Sequence, residues 1–299
     1  MNYKPMLYPN TVVAPEDMTY PLIVSTKFDG VRVCIKEGQV FSRALKPVPN
    51  KYFRYYFREV IQHTKVHPNI VIDAEFYHDN KTHGEIVSAF RTEDYPDLEG
   101  FRLILFDIVD LDNLEEIYSV RQLELMRIAY KYPHCELIPS YRANFPGDVE
   151  LLYNKAIEEG YEGLVLNKPS AYYKFGRITA KSGDGYKMKP LETYDSKIIG
   201  IEQATIVDPK ALKKTNELGM SETSKKKGDR VPIPMARSFI VEWEGKELLV
   251  PIAESDEQKE YIWNHQDEYI GRWVEWAGMP YGMKDSPRFP RTVRMREDK

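Results

Sequence analysis

The chain has 299 residues, 42% of them hydrophobic, and its 42 Lys and Arg stand against 46 Asp and Glu for a formal net charge of -4. That is enough apolar material for one large core or two modest ones, and the charge balance announces no polyanion partner, leaving a local basic patch as the only means of binding one. Two cysteines, Cys34 and Cys135, far apart and without companions at metal-ligand spacing, exclude a disulfide framework and a zinc site, and the lack of a long apolar run predicts a soluble, intracellular protein that is neither exported nor bound to a membrane.

In chain order, short apolar runs at 22–24, 31–35, 70–72, 103–108 and 163–166 read as buried or half-buried strands. Apolar residues at helical spacing predict helices over 52–63, 120–130 and 148–159, the last ended by Gly160. Strands and helices alternate without a regular period, and no internal repeat is visible, so the first part of the chain reads as an α+β domain. After Lys189-Pro190 the texture changes. Runs at 196–202, 238–243, 247–252 and 272–277 alternate like strands of a small antiparallel barrel, which predicts domains at 1–189 and 190–299. Within the second lies a polar insert at 208–230 carrying Lys210, Lys213, Lys214, Lys225, Lys226 and Lys227. By composition alone it is a solvated loop, with a binding element as the alternative.

Lys27-Phe28-Asp29-Gly30-Val31-Arg32 sits between two strand-like runs, where a loop can present an amine to a bound nucleotide. Alone it is equally an exposed lysine before a turn glycine. A lysine nucleophile has to shed a proton with an ordinary pKa of about 10.4, and neighbouring cations help it do so. Lys187 and Lys189, two apart and so on one face of a strand, are suited to clamp a phosphate. Glu75 and Glu162 flank strand-like runs, where carboxylates can serve magnesium and ribose hydroxyls. Phe106 is either core or a platform for a base.

Taken in order, Lys27-x-Asp29-Gly30-x-Arg32, Ser42-Arg43, Asp73-x-Glu75, Phe106-Asp107, Glu162-Gly163 and Lys187-x-Lys189 resemble the nucleotidyltransferase motifs shared by ATP-dependent DNA ligases and messenger-RNA capping enzymes. Ser42 to Pro47, Tyr173-Lys174-Phe175-Gly176-Arg177, Tyr269-Ile270-Gly271 and Lys284 to Pro290 are similar to minimal viral DNA ligases of the chlorella-virus type, so the likeness runs over essentially the whole chain. Ala74 stands where the family commonly has glycine in its third motif.

The resemblance implies an ATP-grasp-like nucleotidyltransferase domain followed by an OB-fold, and a monomer that encircles nicked duplex DNA. It implies Lys27 as the residue adenylylated by ATP, Glu162 as the carboxylate associated with Mg2+ or Mn2+, Glu75 and Arg32 at the nucleotide sugar, Phe106 on the adenine, and Lys187 and Lys189 on the α-phosphate. Arg43, Lys174 and Arg177 would meet the DNA at the nick, Arg288 and Arg296 the pyrophosphate of ATP, and the lysine-rich insert would act as a latch around the duplex. ATP is expected over NAD, because nothing before Lys27 is large enough to hold a nicotinamide. The rivals are a capping guanylyltransferase or an RNA ligase using the same lysine, and a non-catalytic DNA-end-binding protein, which would have no reason to keep Lys27, Glu162, Lys187 and Lys189 together.

Overall fold

A computed structural model describes residues 3–190, 192–208, 230–280 and 285–296, together with two short strand backbones inside the lysine-rich insert. By internal packing the chain divides into two units, Met1–Lys189 and Pro190–Lys299.

In the first unit the elements follow one another as β1 (Leu22–Lys27), β2 (Val31–Lys36), β3 (Gln39–Ser42), α1 (Phe53–Tyr56), α2 (Arg58–Val66), β4 (Ile70–Tyr77), α3 (His83–Arg91), β5 (Arg102–Asp110), α4 (Tyr118–Lys131), β6 (Cys135–Leu137), β7 (Ser140–Ala143), α5 (Pro146–Glu158), β8 (Gly163–Asn167) and β9 (Gly185–Met188). They build two sheets, ordered β7-β1-β8-β9 and β3-β2-β4-β5-β6. Every ladder is antiparallel except β5 with β6. The chain steps from one sheet to the other between Lys27 and Val31, so the Lys27–Gly30 loop lies where the sheets meet.

Period-two alternation sorts the larger sheet's side chains. Val33, Ile35, Ile72, Ala74 and Phe76 pack with Phe53, Phe57, Val60 and Phe90 of the helices, while Cys34, Val71 and Val109 face a second cluster with Tyr3, Met6, Tyr173 and Ile178. With both faces covered, β4 and β5 read as nearly continuous apolar runs. The smaller sheet rests Leu22, Val24, Leu164 and Leu166 against Val149 and Ala156 of α5.

The helix expected over 52–63 is two helices, because Phe57 leaves the helical region at φ -102 and ψ 25, and both Phe53 and Phe57 are buried. The sequence reading gave no element at α3. Its start was nevertheless legible: the Thr82 hydroxyl accepts from the Glu85 N–H while the Glu85 carboxylate accepts from the Thr82 N–H.

The second unit contains β10 (Glu192–Val207), β11 (Lys214–Thr215), β12 (Ser221–Glu222), β13 (Arg230–Trp243), β14 (Lys246–Pro251), α6 (Asp256–Asn264), β15 (Trp273–Met279) and β16 (Arg288–Arg296). Five of these strands form an antiparallel sheet ordered β14-β13-β10-β15-β16. Among the described residues no ladder joins β14 to β16, so the sheet is not closed into a barrel; the Ala253 N–H just after β14 donates to the Thr292 hydroxyl of β16 at 2.8 Å. Its core is Ile198, Phe239, Val241, Val250, Val274 and Trp276, with Ile262 of α6 laid over it. Helix α6 lay between expected strands, and Ser255 caps it by accepting from the Gln258 N–H. No helix among the described residues is long and apolar enough to cross a membrane.

Candidate active site

β1 ends on Lys27 and β8 begins on Gly163, and antiparallel pairing sets these two residues opposite each other. The Glu162 N–H donates to the Lys27 carbonyl at 3.1 Å, and β9 lies on the other side of β8 with Leu164 opposite Met188, so Lys189 leaves the sheet at the same end. The Glu162 side chain, 4% exposed, therefore receives both ammonium groups: Lys27 Nζ donates to Oε2 and Lys189 Nζ to Oε1. Burial acts to raise the Glu162 carboxyl, but the charges of Lys27 and Lys189 prevail and hold it below the usual carboxylate range.

Glycine follows Glu162 for a steric reason. Gly163 has φ +140, and a Cβ there would lie 2.1 Å from the Met188 carbonyl oxygen. Gly30 is similarly constrained, since a Cβ would lie 2.4 Å from the Phe76 carbonyl oxygen and 2.8 Å from Glu75 Cγ. The glycines in these two motifs let the Lys27 loop and the strand after Glu162 approach their neighbours.

Across the larger sheet, Arg32 of β2 sits directly opposite Glu75 of β4. Burial pushes the Glu75 carboxyl up to about 7 against the opposing charges of Lys27 and Arg32. Set beside Lys27 and Arg32, that carboxyl is suited to a ligand hydroxyl. Asp73 pairs with Asp107 while Ala74 pairs with Leu105, so Phe106 is the extra residue of a bulge. Bulges re-aim side chains beside active sites. Phe106 is half-buried, with the Arg32 guanidinium 5.0 Å from its ring centre.

Arg32 is held from behind. Its Nη2 donates to Asp73 Oδ2 at 2.7 Å and its Nη1 to the Met6 carbonyl at 2.7 Å. Asp73, 1% exposed, also accepts from the hydroxyls of Tyr173 and Tyr3 and from the Cys34 thiol. The sequence reading recognised Asp73 only as part of a motif, because its partners are distant in the chain. Nor did any local signal reveal His83, whose Nδ1 lies 3.1 Å from the Asp29 carbonyl oxygen and 3.3 Å from its carboxylate.

Lys187 Nζ donates to Asn10 Oδ1 at 3.2 Å. Burial, with the charges of Lys189, Arg177 and Lys27 added, pushes its ammonium down to about 8. Arg177 donates to the Tyr8 carbonyl and to Asn10 Oδ1, and Lys174 pairs with Asp184 at 2.6 Å. Arg43 is exposed on the turn after β3, which the Leu45 N–H closes onto the Ser42 carbonyl at 2.8 Å. The first unit thus brings Lys27, Arg32, Glu75, Phe106, Glu162, Lys187 and Lys189 to the meeting of its two sheets.

Arg288 and Arg296 lie on β16 of the second unit, Arg288 with its guanidinium 5.2 Å from the Phe289 ring centre and Arg296 donating to Asp195 at 3.3 Å. Lys210, Lys213, Lys225, Lys226 and Lys227 lie outside the described residues, and so does the Lys214 side chain.

A family model described as the ATP dependent DNA ligase domain matches residues 5–189. The chain belongs to the ATP-dependent DNA ligase family. The first unit has the nucleotidyltransferase-type fold of this ligase family. The chlorella virus DNA ligase-adenylate is similar to it at 23% identity and a TM-score of 0.54, covering 99% of each chain. A Lig E DNA ligase, described as binding DNA with a minimal scaffold, reaches a TM-score of 0.69 at 18% identity over 99% of this chain and 100% of that one. A probable DNA ligase of Mycolicibacterium gilvum is 24% identical over 302 residues, 91% of this chain and 55% of that protein. The chain spans about half the length, or less, of the curated relatives it matches.

Proposed function

We propose that this chain is an ATP-dependent DNA ligase that seals nicks bearing a 3′-hydroxyl and a 5′-phosphate, through AMP carried first on Lys27 and then on the DNA. The observation that carries this reading is the buried Glu162 carboxylate holding Lys27 and Lys189 together at one end of a sheet. It fixes an amine beside a second cation able to receive the phosphate that the amine attacks.

In the first step Lys27 Nζ forms a bond to the α-phosphorus of ATP, the bond to the bridging β-phosphate oxygen breaks, and pyrophosphate leaves. The attacking species is the neutral amine; Glu162 Oε2 holds the Lys27 ammonium in place until its proton is lost to solvent. Lys187 and Lys189 offset charge on the phosphate oxygens, Glu75 and Arg32 hold the sugar, and Phe106 stacks on the base. In the second step an oxygen of the nick's 5′-phosphate, gripped by Arg43, Lys174 and Arg177, displaces the lysine amine and takes the AMP. In the third the 3′-hydroxyl attacks that activated phosphorus and AMP departs.

Among the described residues no three His, Cys, Asp or Glu side chains cluster into a metal cage. Glu162 would be the protein carboxylate at a Mg2+ or Mn2+ ion, which is carried mainly by substrate phosphates and water. Such an ion would neutralise charge on the reacting phosphates.

The reading assigns adenylylation to 1–189 and an OB-fold to 190–299. It gives Arg288 and Arg296 the ATP pyrophosphate, and makes the lysine-rich insert a latch by which a monomer encircles duplex DNA. The test is incubation with α-labelled ATP or GTP and magnesium, denaturation, and a chase with nicked DNA. Label from ATP that moves to the nick is expected, and Lys27→Ala should take none. Label from GTP and not ATP would make the protein a capping guanylyltransferase.

A further inference from the structure

Asn10 belongs to none of the motifs that carry the family resemblance, yet its side-chain carbonyl accepts from Arg177 Nη1 at 2.9 Å and from Lys187 Nζ at 3.2 Å. Both partners can only donate, so the oxygen and not the amide nitrogen must face them. The same segment supplies the Met6 carbonyl to Arg32 and the Tyr8 carbonyl to Arg177. It is pinned in place: the Leu7 N–H donates to the Gly176 carbonyl at 2.8 Å, the Ile178 N–H to the Leu7 carbonyl at 2.9 Å, and the Tyr8 hydroxyl to Asn167 Oδ1 at 2.7 Å.

Two cations sharing one acceptor repel each other, and Lys189 and Lys27 add to the positive field on Lys187. Without the shared acceptor Arg177 keeps the Tyr8 carbonyl, but Lys187 would swing away from it into solvent. A carboxylate would hold them more tightly but would cancel the charge that an incoming phosphate needs. An amide oxygen holds both and leaves their charge intact.

We propose that Asn10 is a positioning residue that sets Arg177 and Lys187 as a pair, coupling the grip on the α-phosphate of ATP to the grip on the 5′-phosphate of the nick. The assignment rests on the ligase reading above. Because Asn10 is exposed, its replacement should not unfold the chain.

The experiment measures single-turnover rates for adenylylation over a range of labelled ATP concentrations, which gives the KM for ATP, and for AMP transfer from adenylylated protein to nicked DNA, in wild type, Asn10→Ala and Asn10→Asp, with melting temperature alongside. Asn10→Ala should slow both steps by about tenfold at an unchanged melting temperature. Asn10→Asp keeps the shape and the acceptor oxygens but adds negative charge, so it should raise the KM for ATP above that of Asn10→Ala. A residue that only shaped the loop would tolerate Asp as it tolerates Asn. Wild-type rates in Asn10→Ala, or wild-type behaviour in Asn10→Asp, overturn the proposal while a labelled wild type leaves the ligase reading standing. A wild type that takes no label from ATP overturns both.

Discussion

Replacing Gly163 by alanine tests whether the strand pairing behind Glu162 sets the reaction geometry. At φ +140 a residue with a side chain bears about 1–3 kcal/mol of backbone strain. The new Cβ would also lie 2.1 Å from the Met188 carbonyl oxygen, where Cβ contacts essentially never fall below 3.0 Å. β9 must therefore retreat by about 1 Å. Lys189 directly follows Met188 and donates to Glu162, so the retreat pulls one cation off the carboxylate that also holds Lys27. A displacement of about 1 Å at reacting groups costs about 10²-fold in rate, and the strain should lower the melting temperature by about 2–12 °C. Thermal melting and the rate of label transfer from ATP to Lys27 measure the two effects separately. As a control, Gly245→Ala also introduces a side chain at positive φ, +76, but with nothing within 4 Å. It should melt slightly lower and label at the wild-type rate. Full-rate labelling of Gly163→Ala would refute the coupling, whether or not the variant melts early.

Glu75→Gln should trade activity for stability. The folded carboxyl is raised to about 7 from an ordinary 4.5, so its contribution is fully present below pH 4.5 and is lost as pH rises through about 7. An amide does not titrate; the variant should therefore gain stability relative to wild type at pH 8 in a pH series of melts, while its KM for ATP rises. Arg121 and Asp107 form a pair 1% and 5% exposed with Nε–Oδ1 at 2.8 Å. Arg121→Leu, which leaves the carboxylate buried alone, should cost about 3–5 kcal/mol in denaturant unfolding, and adding Asp107→Asn should restore part of it. Deleting residues 210–227 should leave labelling by ATP intact while weakening binding to nicked duplex and flattening its salt dependence. Equal sealing by the deleted chain at moderate salt would end the latch reading.

The motif residues were legible because each motif is local: Lys27 to Arg32, Asp73 to Glu75, and Lys187 with Lys189 each lie within a few positions of one another, and period-two spacing states which side chains share a strand face. Helices α3 and α6 carried readable caps at Thr82 and Ser255. They were missed because their apolar periodicity is short. Neither the bulge at Phe106 nor the acceptor role of Asn10 has a local signature. The first depends on which residue of β5 loses its partner on β4, and the second on a contact across 177 residues.

From the sequence alone came the residue types of the proposed nucleotidyl-transfer site and the glycines that let backbones close upon it. Tertiary structure decided the rest. Glu162 is 135 residues from Lys27 and 27 from Lys189, and only the antiparallel register of β1, β8 and β9 brings the three to one sheet end. Chemistry at a site depends on distances of a few ångströms, and a chain sets those by pairing segments that its linear order keeps apart.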